Sequence, residues 1–161
     1  KHGIQFFVVP HLKNTFLDGA AMILEKKRHV IVLTLRYDRI DNFWFCLLHE
    51  LAHLTKHLTE DEPDIIIDEI EPRRSSIEGT DMKEKEADRI AQNALIPEEY
   101  WKKVNLEAKD LVKEVAFLSE QLKIHPAIAA GRIRFEINNY RILSQFISRG
   151  EVRELFESIS N

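Results

Sequence analysis

Residues 40–58 read IDNFWFCLLHELAHLTKHL. Ile40, Phe43, Trp44, Leu47, Leu48, Leu51, Leu54 and Leu58 recur at the i, i+3, i+4, i+7 spacing of one helix face. Phe45 and Cys46 add apolar groups on the other side, so this helix is expected to be central and buried nearly all round. Asp38 or Asp41 is available to cap its start. Inside it stands His49-Glu50-Leu51-Ala52-His53. Residues four apart project from one helix face about one turn apart, so two imidazoles so placed can reach one metal ion. Zinc suits them, because it accepts nitrogen ligands at about 2.0–2.1 Å in tetrahedral geometry. Glu50 is rotated about 100° around the axis from His49. From there its carboxylate can reach a metal-bound water without closing on the metal, which is where a general base must stand. The bland alternative is a pair of structural histidines. Two histidines and a glutamate on a buried helix are costly without a partner, and that weighs against it.

A third ligand is sought downstream. The spacing predicts a second helix over 82–96, stopped by Pro97. With Glu84 at zero on the helical wheel, Asp88 falls about 40° away and Ala87, Ala91 and Leu95 within about 60°. Glu86 lies about 160° off that face, beside Arg89 and Asn93. Glu84 is therefore the better third ligand and Glu86 the runner-up. Asp88, one turn on, is placed to accept the free N–H of a ligating histidine. The competing readings are a capping box of Asp81 with Glu84 and a surface pair of Asp88 with Arg89 or Lys85. Small Ala87, Ala91 and Ala94 would let this helix come close to the first. His57 stays near the face of His49 but about 12 Å further along the axis, too far to share its metal. A supporting or substrate-edge role is the alternative to the expected interaction with the helix dipole. His2, His11 and His29 read as structural or exposed.

Upstream, 4–9 (IQFFVV, closed by Pro10) and 29–35 (HVIVLTL) read as strands, and 19–24 as a weaker one. The acidic stretch 60–71, with Ile65–Ile67 at its centre, and the following 72–79 read as an exposed loop holding at most a short strand. Beyond Pro97, helical stretches are expected over 98–103, 105–122, 126–140 and 139–157. The fold class is thus α+β: a small, mostly antiparallel N-terminal sheet packed on the HExxH helix, then a mostly helical C-terminal half. The expected organisation is a core over 1–103 and a helical region over 104–161, packed together as one domain.

Composition narrows the function. The chain has 161 residues, 44% hydrophobic and 31% charged, enough apolar material to exclude global disorder. A formal charge of -4 argues against a nucleic-acid coat. Cys46 is the single cysteine, so an intramolecular disulfide scaffold is excluded. No apolar run approaches the roughly 18 residues of a membrane span. The N-terminus lacks an initiator Met and a signal-peptide shape, so a cytoplasmic fragment of something longer is expected.

HELAH at 49–53, preceded by RYDRIDNFWF at 36–45, resembles the ImmA/IrrE family of metallopeptidase-like domains. EKEADRIAQNALIP at 84–97 is similar to that family's E-x-x-A-N/D…LLMP signature, and 117–136 to its downstream helix-turn-helix-like segment. The likeness runs from about residue 3 to about 156. It comes nearest to the domain fused behind a DNA-binding helix-turn-helix in HigA-like antitoxins and phage or mobile-element regulators. The resemblance implies a zincin-like fold and a gluzincin-like site. In it Zn2+ is held by His49, His53 and Glu84, Glu50 is the catalytic base, and Asp88 orients a ligating histidine. It also implies a zinc metallopeptidase cleaving a peptide or repressor protein, with a fused or partner helix-turn-helix DNA-binding domain. Asp88 replaces the family's usual Asn and Ala52 its usual Gly. Neither breaks the chemistry, and Asp88 strengthens an ExxxD likeness to thermolysin-type enzymes.

Two further readings stand beside this one. A non-catalytic metal-binding sensor or interaction domain of a transcriptional regulator or antitoxin would carry the same ligands. Direct DNA binding through 117–136, with Arg132 and Arg134, has the right outline but the wrong overall charge. For a peptidase, Tyr37, Tyr100 and His125 are candidates to stabilise the oxyanion. A substrate strand is expected to add at an edge near Gly19-Ala20-Ala21, where small residues admit another backbone.

Overall fold

The computed structural model describes residues 3–11, 14–15, 17–58, 64–69, 78–147 and 149–157. In chain order the elements are β1 (Ile4–Val8), β2 (Leu17–Leu24), β3 (Arg28–Leu33), α1 (Ile40–Ala52), a π-helical turn (His53–His57), β4 (Asp64–Glu69), α2 (Glu78–Leu95), α3 (Glu98–Trp101), α4 (Leu111–Leu122), α5 (Pro126–Glu136) and α6 (Glu151–Glu157). The class is mixed α+β. Two compact units divide the chain, Lys1–Tyr37 with Cys46–Ala91 and Asp38–Phe45 with Gln92–Asn161. The chain therefore passes from one to the other after Tyr37, inside α1 and again inside α2. No helix among the described residues is long and apolar enough to cross a membrane.

The first unit carries the sheet, in the order β1-β3-β2-β4. β2 runs antiparallel to both β3 and β4, and β1 runs parallel to β3. β2 is thus an interior strand. Gly19 pairs with Leu33 on one side and Asp68 on the other, so the expectation of an open edge at 19–21 is corrected. The residues that cover it come from the acidic stretch read as a loop. Ile65–Ile67 is a β-branched run, and three such residues together favour a strand over the charges around them. Position explains the burial of β2, whose Asp18, Gly19, Ala20, Ala21 and Ile23 are all buried. The apolar β1 is an edge strand, and its Phe7 is 50% exposed.

α1 is less enclosed than its composition implies. Trp44 is 43% exposed, while Cys46, His49, Glu50 and Ala52 are buried. α2 begins at Glu78, so Asp81 lies inside the helix and cannot be its N-cap, which removes the capping-box alternative for Glu84. Ala87 and Ala91 are fully buried, whereas Ala94 is exposed and has no part in close helix approach. Residues 70–77, most of the expected 72–79 loop, lie outside the described residues, as does His2.

The second unit is helical. Ile96, Val115, Leu118, Ala129, Ala130, Ile133 and Leu143 form its core. Full burial of a side chain the size of Leu118 or Ile133 contributes about 1.5–3 kcal/mol, enough that a few of them hold α4 to α5. α4 starts at Leu111 rather than 105, where the Asp110 carboxylate accepts the Val112 N–H at 3.2 Å. α5 ends at Glu136, four residues short of the expected 140. Asp38 and Asp41 do other work than capping α1. Asp38 Oδ1 accepts the Arg153 N–H in the first turn of α6, 3.1 Å away. Asp41 is paired with Arg39 and lies against Gly131 of α5.

Candidate metal centre

The residues predicted to form the metal site all lie in the first unit, on α1 with the turn after it and on α2. α1 and the turn after it supply His49, Glu50 and His53, all 0% exposed. α2 supplies Glu84, buried, and Asp88, half-buried. Ala87, with no side chain beyond Cβ, lies between these two acidic residues on α2 and is completely enclosed.

His49 Nε2 and His53 Nε2 are 2.8 Å apart. Glu84 closes the triangle, its Oε2 3.3 Å from His49 Nε2 and its Oε1 3.3 Å from His53 Nε2. Ligand atoms about 2.0–2.1 Å from one tetrahedral ion are themselves spaced by roughly 3.3 Å, which is the distance of each ring nitrogen from one Glu84 oxygen, while the two nitrogens stand closer to each other than that. This buried triad could hold a metal ion. Glu86, the runner-up ligand, is exposed and does not join it.

The donor chemistry fits a cation as well as the distances do. His49 Nδ1–H donates to Asp88 Oδ1 at 3.0 Å, which is where the helical wheel puts Asp88. That bond leaves the His49 lone pair on Nε2, directed at a carboxylate and a second imidazole. A lone pair facing a carboxylate is repulsive unless a proton or a metal ion stands between them. In the metal-free chain protons on the two Nε2 atoms stand in that gap in place of a metal ion, and they govern the acidity of Glu84. Burial alone would raise its carboxyl pKa, but hydrogen bonds from His49 and His53 and the attraction of both rings outweigh it. They hold the group well below its ordinary value of 4.5.

Two features of the site were not read from the sequence. A Cβ added to Gly19 would lie 2.3 Å from Glu50 Oε1, so the Glu50 carboxylate is seated directly on the backbone of β2. Glycine inside a strand signals a close approach. The approaching group is this side chain and not a substrate strand. His57 is the second feature. Its Nδ1 is 2.9 Å from His53 Nδ1, and its Nε2 is 3.2 Å from Glu86 Oε2. The π-helical turn brings it there: Leu58 N–H donates to His53 O, an i to i+5 bond, and the widened turn sets the two rings 4.9 Å apart. His57 therefore has specific partners in place of the helix dipole. The repeated four-residue spacing of His49, His53 and His57 was the available signal.

The three oxyanion candidates have other roles on view. Tyr37 is 40% exposed with Arg36 over its ring, Tyr100 packs against the helical core, and His125 Nδ1 accepts the Ala127 N–H at the start of α5. No protein-family model matches the sequence, and no curated protein matches it significantly.

Proposed function

We propose that this chain is a zinc-dependent peptidase of the ImmA/IrrE kind, zincin-like in fold, cleaving a regulatory protein such as a repressor. The observation that carries the reading is the convergence of His49, His53 and Glu84 on one point. Three protein ligands leave a fourth position open, as catalytic zinc sites do and closed structural sites do not. A zinc ion held by these residues supplies Lewis-acid polarisation of a water molecule and of the peptide carbonyl. Glu50 takes a proton from the water as its oxygen bonds to the carbonyl carbon. Glu50 then delivers that proton to the departing nitrogen as the C–N bond breaks. Gly19 gives the Glu50 carboxylate its seat, and Asp88 keeps the His49 proton on Nδ1 so that Nε2 is free to ligate. An extended substrate has β4 as the sheet edge nearest this seat, since β4 pairs with β2 on one side only.

One observation favours a second reading, a metal-holding interaction domain of a regulator or antitoxin without turnover. His49, Glu50 and His53 are completely enclosed. The substitution Glu50→Gln separates the two. A peptidase variant keeps about one zinc per chain and loses roughly 10²–10⁴-fold in cleavage of a neighbouring encoded repressor. Absence of cleavage by the zinc-loaded wild type, with the repressor still bound, refutes the peptidase. Direct DNA reading by α5 has less support, because Arg132 stacks over Trp101 and the buried Arg134 bonds the Tyr140 carbonyl.

A further inference from the structure

The outward nitrogens of the two histidines are treated differently. His49 hands its Nδ1 proton to a carboxylate, Asp88. His53 Nδ1 meets another imidazole nitrogen, His57 Nδ1, at 2.9 Å, and His57 continues to Glu86 at 3.2 Å. We propose that His57 and Glu86 form a relay that fixes the His53 proton on Nδ1 and so presents Nε2 to the metal, making both of them positioning residues. This inference rests on the reading of His49, His53 and Glu84 as a metal centre.

The relay follows from counting protons. A neutral imidazole has one N–H and one lone pair, so in a contact between two ring nitrogens one must donate and the other accept. If His53 is to bind a cation through Nε2, its proton is on Nδ1, and His57 Nδ1 must accept it. His57 then carries its own proton on Nε2, where the partner is a carboxylate oxygen that can only accept. Each bond is satisfied in one direction, running from His53 Nδ1 outward to Glu86. The opposite assignment puts the His57 proton on Nδ1, leaves its Nε2 lone pair against the Glu86 carboxylate, and places the His53 proton on Nε2, where the metal would be. Burial sharpens the choice at one end. The His57 side chain is 5% exposed, so water cannot readily replace the bond to His53, whereas Glu86 is 48% exposed and its share can be taken over by solvent. The π-helical turn is what makes the relay geometrically available, since it sets the His57 ring beside that of His53 with the two planes tilted.

The test is competition of zinc between a chromophoric chelator and the full chain, for the wild type, His57→Ala, His57→Asn and Glu86→Gln. Asn keeps an acceptor oxygen the same number of bonds from the α-carbon as the histidine Nδ1. Expected are a loss in zinc affinity of about 10–100-fold for His57→Ala, recovery to within about threefold of wild type for His57→Asn, and only a small loss for Glu86→Gln. Long-range proton–nitrogen spectra of the zinc-loaded wild type should show His53 carrying its proton on Nδ1 and His57 on Nε2. These spectra decide the question even if His57→Ala fails to fold. The relay alone is overturned if the wild type binds zinc and His57→Ala binds it equally well. It is also overturned if His57→Asn is as weak as His57→Ala, or if the His57 proton is found on Nδ1. A wild type that takes up no zinc removes the metal centre itself, and the relay with it.

Discussion

Replacing Gly19 with Ala should displace the Glu50 carboxylate and little else. The added Cβ would stand 2.3 Å from Oε1, 2.9 Å from Cδ and 3.0 Å from Cγ of Glu50. A carbon–oxygen contact settles near 3.3 Å, so the carboxylate must retreat by roughly 1 Å. It has no solvent to retreat into, because Glu50 is 0% exposed. Forcing a methyl into such a site costs about 1–3 kcal/mol. Removing a glycine from the unfolded chain returns about 0.4–1 kcal/mol, which leaves a net destabilisation of up to about 2.6 kcal/mol. Zinc affinity should hardly change, since none of the three ligands is touched. With Glu50 as the base of the proposed reaction, cleavage should fall about 100-fold, the usual consequence of a 1 Å misplacement of such a group. Urea denaturation of a double-mutant cycle isolates the cause. In a Glu50→Ala background the clash has no partner, and Gly19→Ala should become neutral or mildly stabilising. An equal cost in both backgrounds would show that the methyl collides with something other than Glu50, and the account of Gly19 as its seat would fail.

Two further outcomes are expected. The carboxyl of Glu84 is held below its ordinary value of 4.5 in the folded chain, so its contribution to stability is complete above that value and is lost as acid titrates it. The stability gap between metal-free wild type and Glu84→Gln, followed by denaturant melts, should narrow below about pH 4.5. A gap that stays constant into stronger acid would mean that the two rings do not hold the carboxylate. In the second unit, a Cβ on Gly131 would lie 2.6 Å from Asp41 Oδ2 and 2.7 Å from its Cβ. Gly131→Ala should therefore cost about 1–3 kcal/mol from the clash, offset by about 1 kcal/mol of helix propensity, and a gain of stability in a thermal or urea melt would show that α5 shifts freely away from the start of α1.

Much of the site was legible because its determinants are local. The four-residue spacing of His49 and His53 is a property of any helix, and so is the wheel that puts Glu84 and Asp88 on one side of α2 and Glu86 on the other. Those placements need only the assumption that two segments are helical, and the apolar periodicity of 40–58 with the Pro97 stop supplies it. The same periodicity was a poorer guide to burial. Apolar spacing does not say which neighbours an element acquires: Trp44 and Phe7 are largely exposed, while the completely enclosed positions of α1 include His49 and Glu50.

The edge at 19–21 failed for a related reason. Whether a strand is interior depends on what pairs with it from elsewhere in the chain, and β4 lies more than 40 residues downstream in a stretch whose charge hides its three isoleucines. The seat of Glu50 on Gly19 and the contact of His57 with His53 and Glu86 are of the same kind. Sequence by itself determined the candidate ligand types, their helical spacing and the α+β class, because these follow from backbone geometry a few residues at a time. Only tertiary structure decided which strand is covered, where the Glu50 carboxylate rests and that a local π-helical turn joins a third histidine to the second. Each of those depends on distances between residues that the covalent chain leaves free.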